Sequence, residues 1–114
     1  MEGQLLRLDE AKQLTAKANE AARLLSALAN ERRLAILCEL VERERSVGEL
    51  VAIVGLTQSA LSQHLAKLRA AGIVATRRDA QTIYYRLASA AAGHVMATLA
   101  DIYCRQRPQR KSRH

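Results

Sequence analysis

The chain has 114 residues, no Phe or Trp, and a formal net charge of +7. This length predicts one domain, and the lack of an apolar run of about 18 residues excludes an ordinary membrane-spanning helix. The charged N-terminus does not resemble a secretory signal, and two distant cysteines are not the disulfide framework of a secreted protein. We therefore expect a cytoplasmic protein whose small core would gain from dimerisation.

Basic charge is concentrated in two regions. Residues 46–86 carry a net +3 and residues 105–114 a net +5, whereas residues 1–45 sum to zero. Concentrated positive charge favours nucleic acid, because neutralising phosphates releases counterions. Double-stranded DNA is thus the expected partner of residues 46–86. For residues 105–114, DNA contact and simple solubilisation are equally open.

The first part of the chain predicts two helices. A stripe with alternating steps of four and three predicts a single first helix from about Asp9 to Ala29. Its members are Leu14, Ala18, Ala21, Leu25 and Leu28. We interpret the stripe as a dimer seam, the alternative being a face of the chain's own core. Asn30 can cap the second helix, which contains Cys38.

A helix-turn-helix is predicted next. Ser46 followed by Glu49 is a capping box that opens a short third helix. Gly55 closes that helix and Thr57 can cap the fourth, so two helices are joined by a tight turn.

The fourth helix, from Gln58 to Ala71, has two different faces. Leu61, Leu65 and Leu68 form a stripe that predicts burial, and His64 on its flank is interpreted as structural or phosphate-contacting. The other side carries amide, hydroxyl and amine groups, which can bind base edges and phosphates. The candidate DNA-reading residues on this helix are Gln58, Ser59, Ser62, Gln63 and Lys67.

Residues 73–78 and 81–87 are rich in β-branched and aromatic residues and predict a hairpin, or wing, with its turn at Asp79-Ala80. Five polar or aromatic side chains near the tip or on the outward face are expected to meet DNA. They are Arg77, Arg78, Gln81, Thr82 and Tyr84. A last helix is predicted from about Ala88 until Pro108 ends it. Residues 1–107 are therefore expected to be the domain, and residues 108–114 a disordered basic tail.

The predicted fold is mainly α with a small β-hairpin wing: five helices, with two strands between the fourth and the fifth. This order resembles the ArsR family of winged helix-turn-helix repressors from about Asn19 to Cys104. The motifs that carry the resemblance are ALANERRLAIL, SVGEL, LTQSALSQHLAKLRAAGIV and TRRDAQTIYY. The resemblance implies a homodimer joined through the first and last helices, an operator with two-fold symmetry, and repression relieved by a chemical signal.

The family offers several kinds of signal. Many members bind metal through a Cys-x-Cys pair opening the third helix, but here Ser46-Val47-Gly48 stands there and offers no thiolate. The last helix has only His94 and Asp101 as metal-binding types, and a metal usually needs three or four ligands. We therefore predict no metal and no other cofactor. Paired carboxylates, glycine-rich phosphate loops and nucleophile–His arrangements are not recognisable, so an enzyme is disfavoured as well.

Cys38 and Cys104 remain as candidates for a sensor. Taken singly, each is more often a small buried hydrophobe than a reactive thiol. As a pair, they are similar to the sensing cysteines of the HlyU, BigR and SqrR subgroup, which implies that reactive sulfur or an oxidant links them. Arg105 and Arg107 are expected to favour a thiolate at Cys104. The wing is instead similar to that of NolR, which leaves open a regulator with inert cysteines.

Overall fold

The computed structural model describes residues 6–105, which form six helices and one three-stranded antiparallel sheet. The helices are α1 Leu8–Ala16, α2 Ala18–Leu28, α3 Glu31–Leu40, α4 Val47–Val54, α5 Gln58–Ala70 and α6 Ala90–Tyr103. The strands are β1 Arg45–Ser46, β2 Val74–Asp79 and β3 Thr82–Leu87. The predicted winged-helix order is confirmed. Over this range, none of the helices combines the length and the apolar character needed to span a membrane.

The prediction of one continuous first helix is wrong. The chain breaks at Lys17, whose φ of −106° and ψ of 14° leave the helical region. Its N–H donates to the carbonyl oxygens of both Gln13 and Leu14, at 3.2 and 3.0 Å. This tightened turn ends α1, and α2 begins at Ala18. Neither Gly nor Pro marks the break, and the apolar spacing continues through it.

The predicted starts of three helices are confirmed by their caps. The Asn30 side chain accepts hydrogen bonds from the N–H groups of Arg32 and Arg33. Ser46 accepts from the N–H of Glu49, and the Glu49 carboxylate accepts in return from the N–H of Ser46 at 2.9 Å. Thr57 accepts from the N–H of Ala60. Each cap satisfies backbone donors that the first turn of a helix leaves unpaired.

The core lies between the helix-turn-helix and the sheet. Its buried residues are Leu28, Ile36, Leu37, Leu40, Leu50, Leu61, Leu65, Leu68, Ile73, Val74 and Ala92. The predicted stripe of α5 is confirmed, because Leu61, Leu65 and Leu68 are all completely buried. With this face turned inward, the opposite face of α5 is left for other molecules.

The wing contains a strand that sequence analysis missed. β1 pairs antiparallel with β3, so β3 lies between β1 and β2. The predicted turn position is off by one residue: Asp79 pairs with Thr82, and the turn consists of Ala80 and Gln81. Ala80 has a φ of +58°, a left-handed backbone conformation that residues other than Gly rarely adopt.

The last helix begins slightly later than predicted. Ser89 caps it by accepting a hydrogen bond from the N–H of Ala92, so α6 starts at Ala90 rather than Ala88. Within the described range α6 ends at Tyr103 and Cys104 is its C-cap. The predictions for Arg107, Pro108 and the basic tail lie outside the described residues.

Candidate functional site

The outer face of α5 holds the side chains predicted to read DNA. Gln58, Ser59, Ser62, Gln63 and Lys67 are all exposed, and the first four lie within its first two turns. No acidic residue occurs in the first turn of α5, while Lys67 and Arg69 occupy its last turn. A helix N-terminus with free hydroxyl and amide groups can approach base edges without repelling phosphates.

The predicted wing residues lie together at the hairpin end. Arg77, Arg78, Gln81 and Thr82 are exposed, whereas Tyr84 is half-buried. The guanidinium of Arg77 covers the Tyr84 ring, with its Cζ 4.6 Å from the ring centroid. This cation–π contact explains why Tyr84 is less exposed than an outward-facing strand position predicts.

Arg77 also has an acidic partner that sequence analysis missed. Its Nε donates to Oε1 of Glu44 at 2.7 Å, and its Nη2 lies 2.6 Å from the same oxygen. This hydrogen bond is the main cause that lowers the pKa of Glu44 below its usual range. Glu44 precedes β1 and lies 33 positions before Arg77, so no local pattern links the two.

His64 takes a structural position between helices. Nδ1 of His64 accepts a hydrogen bond from Nε of Arg33 at 3.4 Å, and Arg33 also donates to the carbonyl of Ala27 at 3.1 Å. Arg33 thus links α2, α3 and α5. Burial, followed by the positive charge of Arg33, lowers the pKa of His64 and favours its neutral form.

Cys38 and Cys104 are both exposed free thiols. The interpretation of each as a small buried hydrophobe is therefore wrong for the single chain. The pKa of Cys38 is raised, first by partial burial, then by the charge of Cys104, then by that of Glu39. The structure thus brings Cys38 and Cys104 near enough for the charge on one to affect the other.

The surroundings of the two thiols differ from expectation in one respect. Arg105 forms an ion pair with Asp101 at 2.8 Å, so its charge is shared with that carboxylate instead of being available to Cys104 alone.

A groove of about 300 Å³ lies beside Cys38. Its lining is Cys38, Val41, Glu42, Leu87, Gly93, Met96, Ala97, Ala100 and Arg105. Between residues 6 and 105, no three His, Cys, Asp or Glu side chains are grouped as metal ligands.

Comparison with known proteins agrees with this geometry. Residues 30–76 match the family described as "Bacterial regulatory protein, arsR family". The nodulation protein NolR of Rhizobium meliloti is 59% identical over 83 residues, which cover 73% of this chain and 68% of NolR. The transcriptional activator HlyU of Vibrio cholerae is 48% identical over 104 residues, which cover 91% of this chain and 94% of HlyU.

A solved structure supports the same assignment. The transcriptional repressor BigR from Xylella fastidiosa superposes with a TM-score of 0.79 at 45% identity, covering 84% of this chain and 98% of BigR. The resemblance drawn from the sequence motifs is thereby confirmed. The chain belongs to the ArsR family of bacterial regulatory proteins, and it is a DNA-binding transcriptional regulator with a winged-helix fold, not an enzyme.

Proposed function

We propose that this protein is a homodimeric repressor that leaves its operator when reactive sulfur species link Cys38 to Cys104. The observation that carries the proposal is the pair of exposed thiols, one on α3 and one at the end of α6, close enough to interact electrostatically. Neither thiol is packed in the core, and neither is needed to cap a helix through its side chain. A chemical role explains their exposure better than a packing role does.

In this proposal, α5 reads the operator sequence and the wing holds its backbone. The exposed amides and hydroxyls at the start of α5 contact base edges, and Lys67 contacts phosphate. Arg77, Arg78, Gln81 and Thr82 meet the backbone or the minor groove beside it. Base contacts supply specificity, whereas phosphate contacts supply affinity that does not depend on sequence.

The proposed dimer joins the N-terminal helices and α6 of two copies. Large apolar side chains on these helices are exposed in the single chain: Leu14, Leu25, Ile102 and Tyr103. Burying these apolar side chains against a second copy removes them from water and so favours association. Two copies related by a two-fold axis would place two α5 helices for two half-sites about 34 Å apart.

The bridging reaction uses the polysulfide itself as the oxidant. Two thiols and two sulfane sulfur atoms give one trisulfide and one hydrogen sulfide. One sulfur atom remains between the cysteines, while the other accepts the two electrons and both thiol protons and leaves. The donor is shortened by two sulfur atoms. Peroxide would instead produce a plain disulfide and water.

A bridge between α3 and the end of α6 would act on the spacing of the reading helices. α3 packs against α5 within the chain, and α6 belongs to the proposed dimer contact. A covalent bridge between α3 and α6 changes the orientation of α5 relative to the dimer axis. A small rotation then prevents both α5 helices from docking together, since the half-site spacing is fixed.

The test is operator binding by wild type and by Cys38→Ser, each untreated, treated with polysulfide, and separately treated with peroxide. The operator is obtained by selection from a random pool. We expect polysulfide to weaken wild-type binding about 5- to 150-fold, a typical range for allosteric coupling. Cys38→Ser should bind DNA and ignore polysulfide, and a thiol reductant should restore the wild type. Intact-mass spectrometry should show one added sulfur and two lost hydrogens within a single treated chain.

The outcomes separate the alternatives. Equal release of wild type and Cys38→Ser would contradict the two-cysteine mechanism. Release of neither would favour a regulator with inert cysteines, for which the 59% identity to NolR is the supporting observation. Loss of two hydrogens without added sulfur, seen only after peroxide, would identify an oxidant sensor.

A further inference from the structure

Glu44 forms an ion pair with Arg77, one of the two arginines in strand β2 of the wing. A single carboxylate oxygen of Glu44 lies 2.7 Å from Nε and 2.6 Å from Nη2 of Arg77. These two nitrogens are the donors along one edge of the guanidinium. The Tyr84 ring covers one face, 4.6 Å from Cζ. A DNA phosphate approaching Arg77 along this edge finds the position of its own oxygen taken by a carboxylate.

The fold holds Glu44 in this position. Ser46 of β1 and Arg77 of β2 both pair with Tyr84 of β3, on its opposite sides, so Glu44 enters the sheet next to the wing. Arg45 is anchored to α3, since its Nη2 lies 3.3 Å from the Glu39 carboxylate and its Nε donates to the Glu39 carbonyl at 3.1 Å. The two residues that follow Glu44 are thus held in place, Arg45 by α3 and Ser46 by β3, and Glu44 is positioned beside the wing.

We propose that Glu44 is an internal substitute for a DNA phosphate that limits the affinity of the wing for DNA of any sequence. The inference rests on the proposed contact between the wing and DNA. With Glu44 bound, Arg77 brings almost no net charge to the DNA backbone. The ion pair is partly exposed, with side-chain exposures of 49% for Arg77 and 31% for Glu44, so it can be displaced but must be broken first.

A limit on non-specific affinity suits a repressor that must be released by a small signal. Phosphate contacts tighten binding to operator and random DNA alike. If electrostatic affinity were too strong, a coupling of about 5- to 150-fold would leave the operator occupied. By neutralising one cation on each wing, Glu44 keeps binding within the range that the signal can reverse.

The experiment compares Glu44→Gln with the matched variant Glu42→Gln on a random-sequence duplex and on the selected operator. Glu42 lies in the same loop and carries the same charge, but it lines the groove beside Cys38 and does not contact Arg77. Affinity is measured over a series of salt concentrations. We expect Glu44→Gln to bind both duplexes severalfold more tightly. The salt slope, which is the decrease of the logarithm of the binding constant with the logarithm of the salt concentration, should be steeper by about 0.9 for each wing that meets DNA. Glu42→Gln should change the slope much less.

Two further variants make the result decisive. Adding Arg77→Ala to Glu44→Gln should cancel the gain, because the freed cation is then missing. Arg78→Ala, a neighbouring exposed cation, tests whether the wing meets DNA at all and should lower the slope. If Arg78→Ala lowers the slope but Glu44→Gln does not raise it, or Glu44→Gln weakens binding, the inference about Glu44 is wrong. If neither variant changes the slope, the proposed wing contact itself fails.

Discussion

The thiol of Cys38 stands at an exposed position of α3, yet its pKa is raised by partial burial and by the charges of Cys104 and Glu39. A raised pKa leaves less thiolate at neutral pH, and the thiolate is the reactive form. The chemistry of one residue is therefore set by groups that the fold brings beside it. Arg77 follows the same rule, because Glu44 neutralises a cation that the sequence presents as free.

Replacing Cys104 with Ser should lower the pKa of Cys38. The charge on Cys104 that opposes ionisation of Cys38 is removed, while partial burial and Glu39 continue to raise the pKa. The pKa is read from the rate of alkylation of Cys38 against pH, followed by peptide mass spectrometry in wild type and Cys104→Ser. The midpoint should move to lower pH in the variant. An unchanged midpoint would mean that the two thiols are too far apart to interact, which would also count against an intrachain bridge.

At the scale of helices and strands, the sequence predicts what is determined locally. Asn30, Ser46 and Thr57 predict helix starts because each cap involves only the next three residues. The break at Lys17 is not predictable, because both sides of it are helix-forming and the apolar spacing continues. β1 is also missed, since two residues carry no alternating pattern and form a strand only because β3 is beside them.

The candidate site also has features that local sequence predicts and features that depend on tertiary structure. The reading face of α5 follows from the period of its buried stripe, so its exposed residues could be predicted. The Glu44–Arg77 pair could not, because it joins residues 33 positions apart through the packing of β1 on the wing. The proximity of Cys38 and Cys104 likewise depends on tertiary structure, and only the family resemblance indicated it.

The exposed face of α5 leads to a prediction about specificity. Gln63→Ala or Ser59→Ala should lose about 1–3 kcal/mol on the selected operator and little on random DNA, because these side chains would contact base edges. Lys67→Ala is the matched control on the same helix: it should weaken both duplexes similarly and reduce the salt slope. Affinities are measured by titration at several salt concentrations. Equal losses on both duplexes for Gln63→Ala and Ser59→Ala would show that these residues do not read sequence.

At the scale of the whole molecule, two uncovered surfaces of the described residues bear on the proposed function. One is the polar face of α5 with the wing. The other is apolar and lies on the helices at both ends of the described chain, where Leu25 is 54% and Tyr103 73% exposed. The stripe that predicted a dimer seam is only partly used by the chain's own core, since Leu28 is buried while Leu14 and Leu25 are not.

Leu25→Glu should convert the proposed dimer into a monomer. A carboxylate placed in an apolar contact loses hydration without gaining a partner, so association is opposed while the fold of each chain is kept. Sedimentation equilibrium measures the oligomeric state, and circular dichroism checks the fold. Ile53→Glu is the control, because Ile53 is also exposed, at 46%, but lies on α4 away from the proposed seam. If both variants remain dimeric, the dimer does not use α2.

The position of β2 has a consequence for solubility. In the described part of the chain β3 is paired on both sides, whereas β2 pairs only with β3 and so has an open edge six residues long. An open edge can take up a strand from another molecule and begin aggregation. Arg78 lies in β2 and does not share the Glu44 carboxylate that neutralises Arg77, and a charged side chain on an edge strand opposes such pairing. Arg78 would thus serve the protein when no DNA is bound, by keeping one wing from joining another.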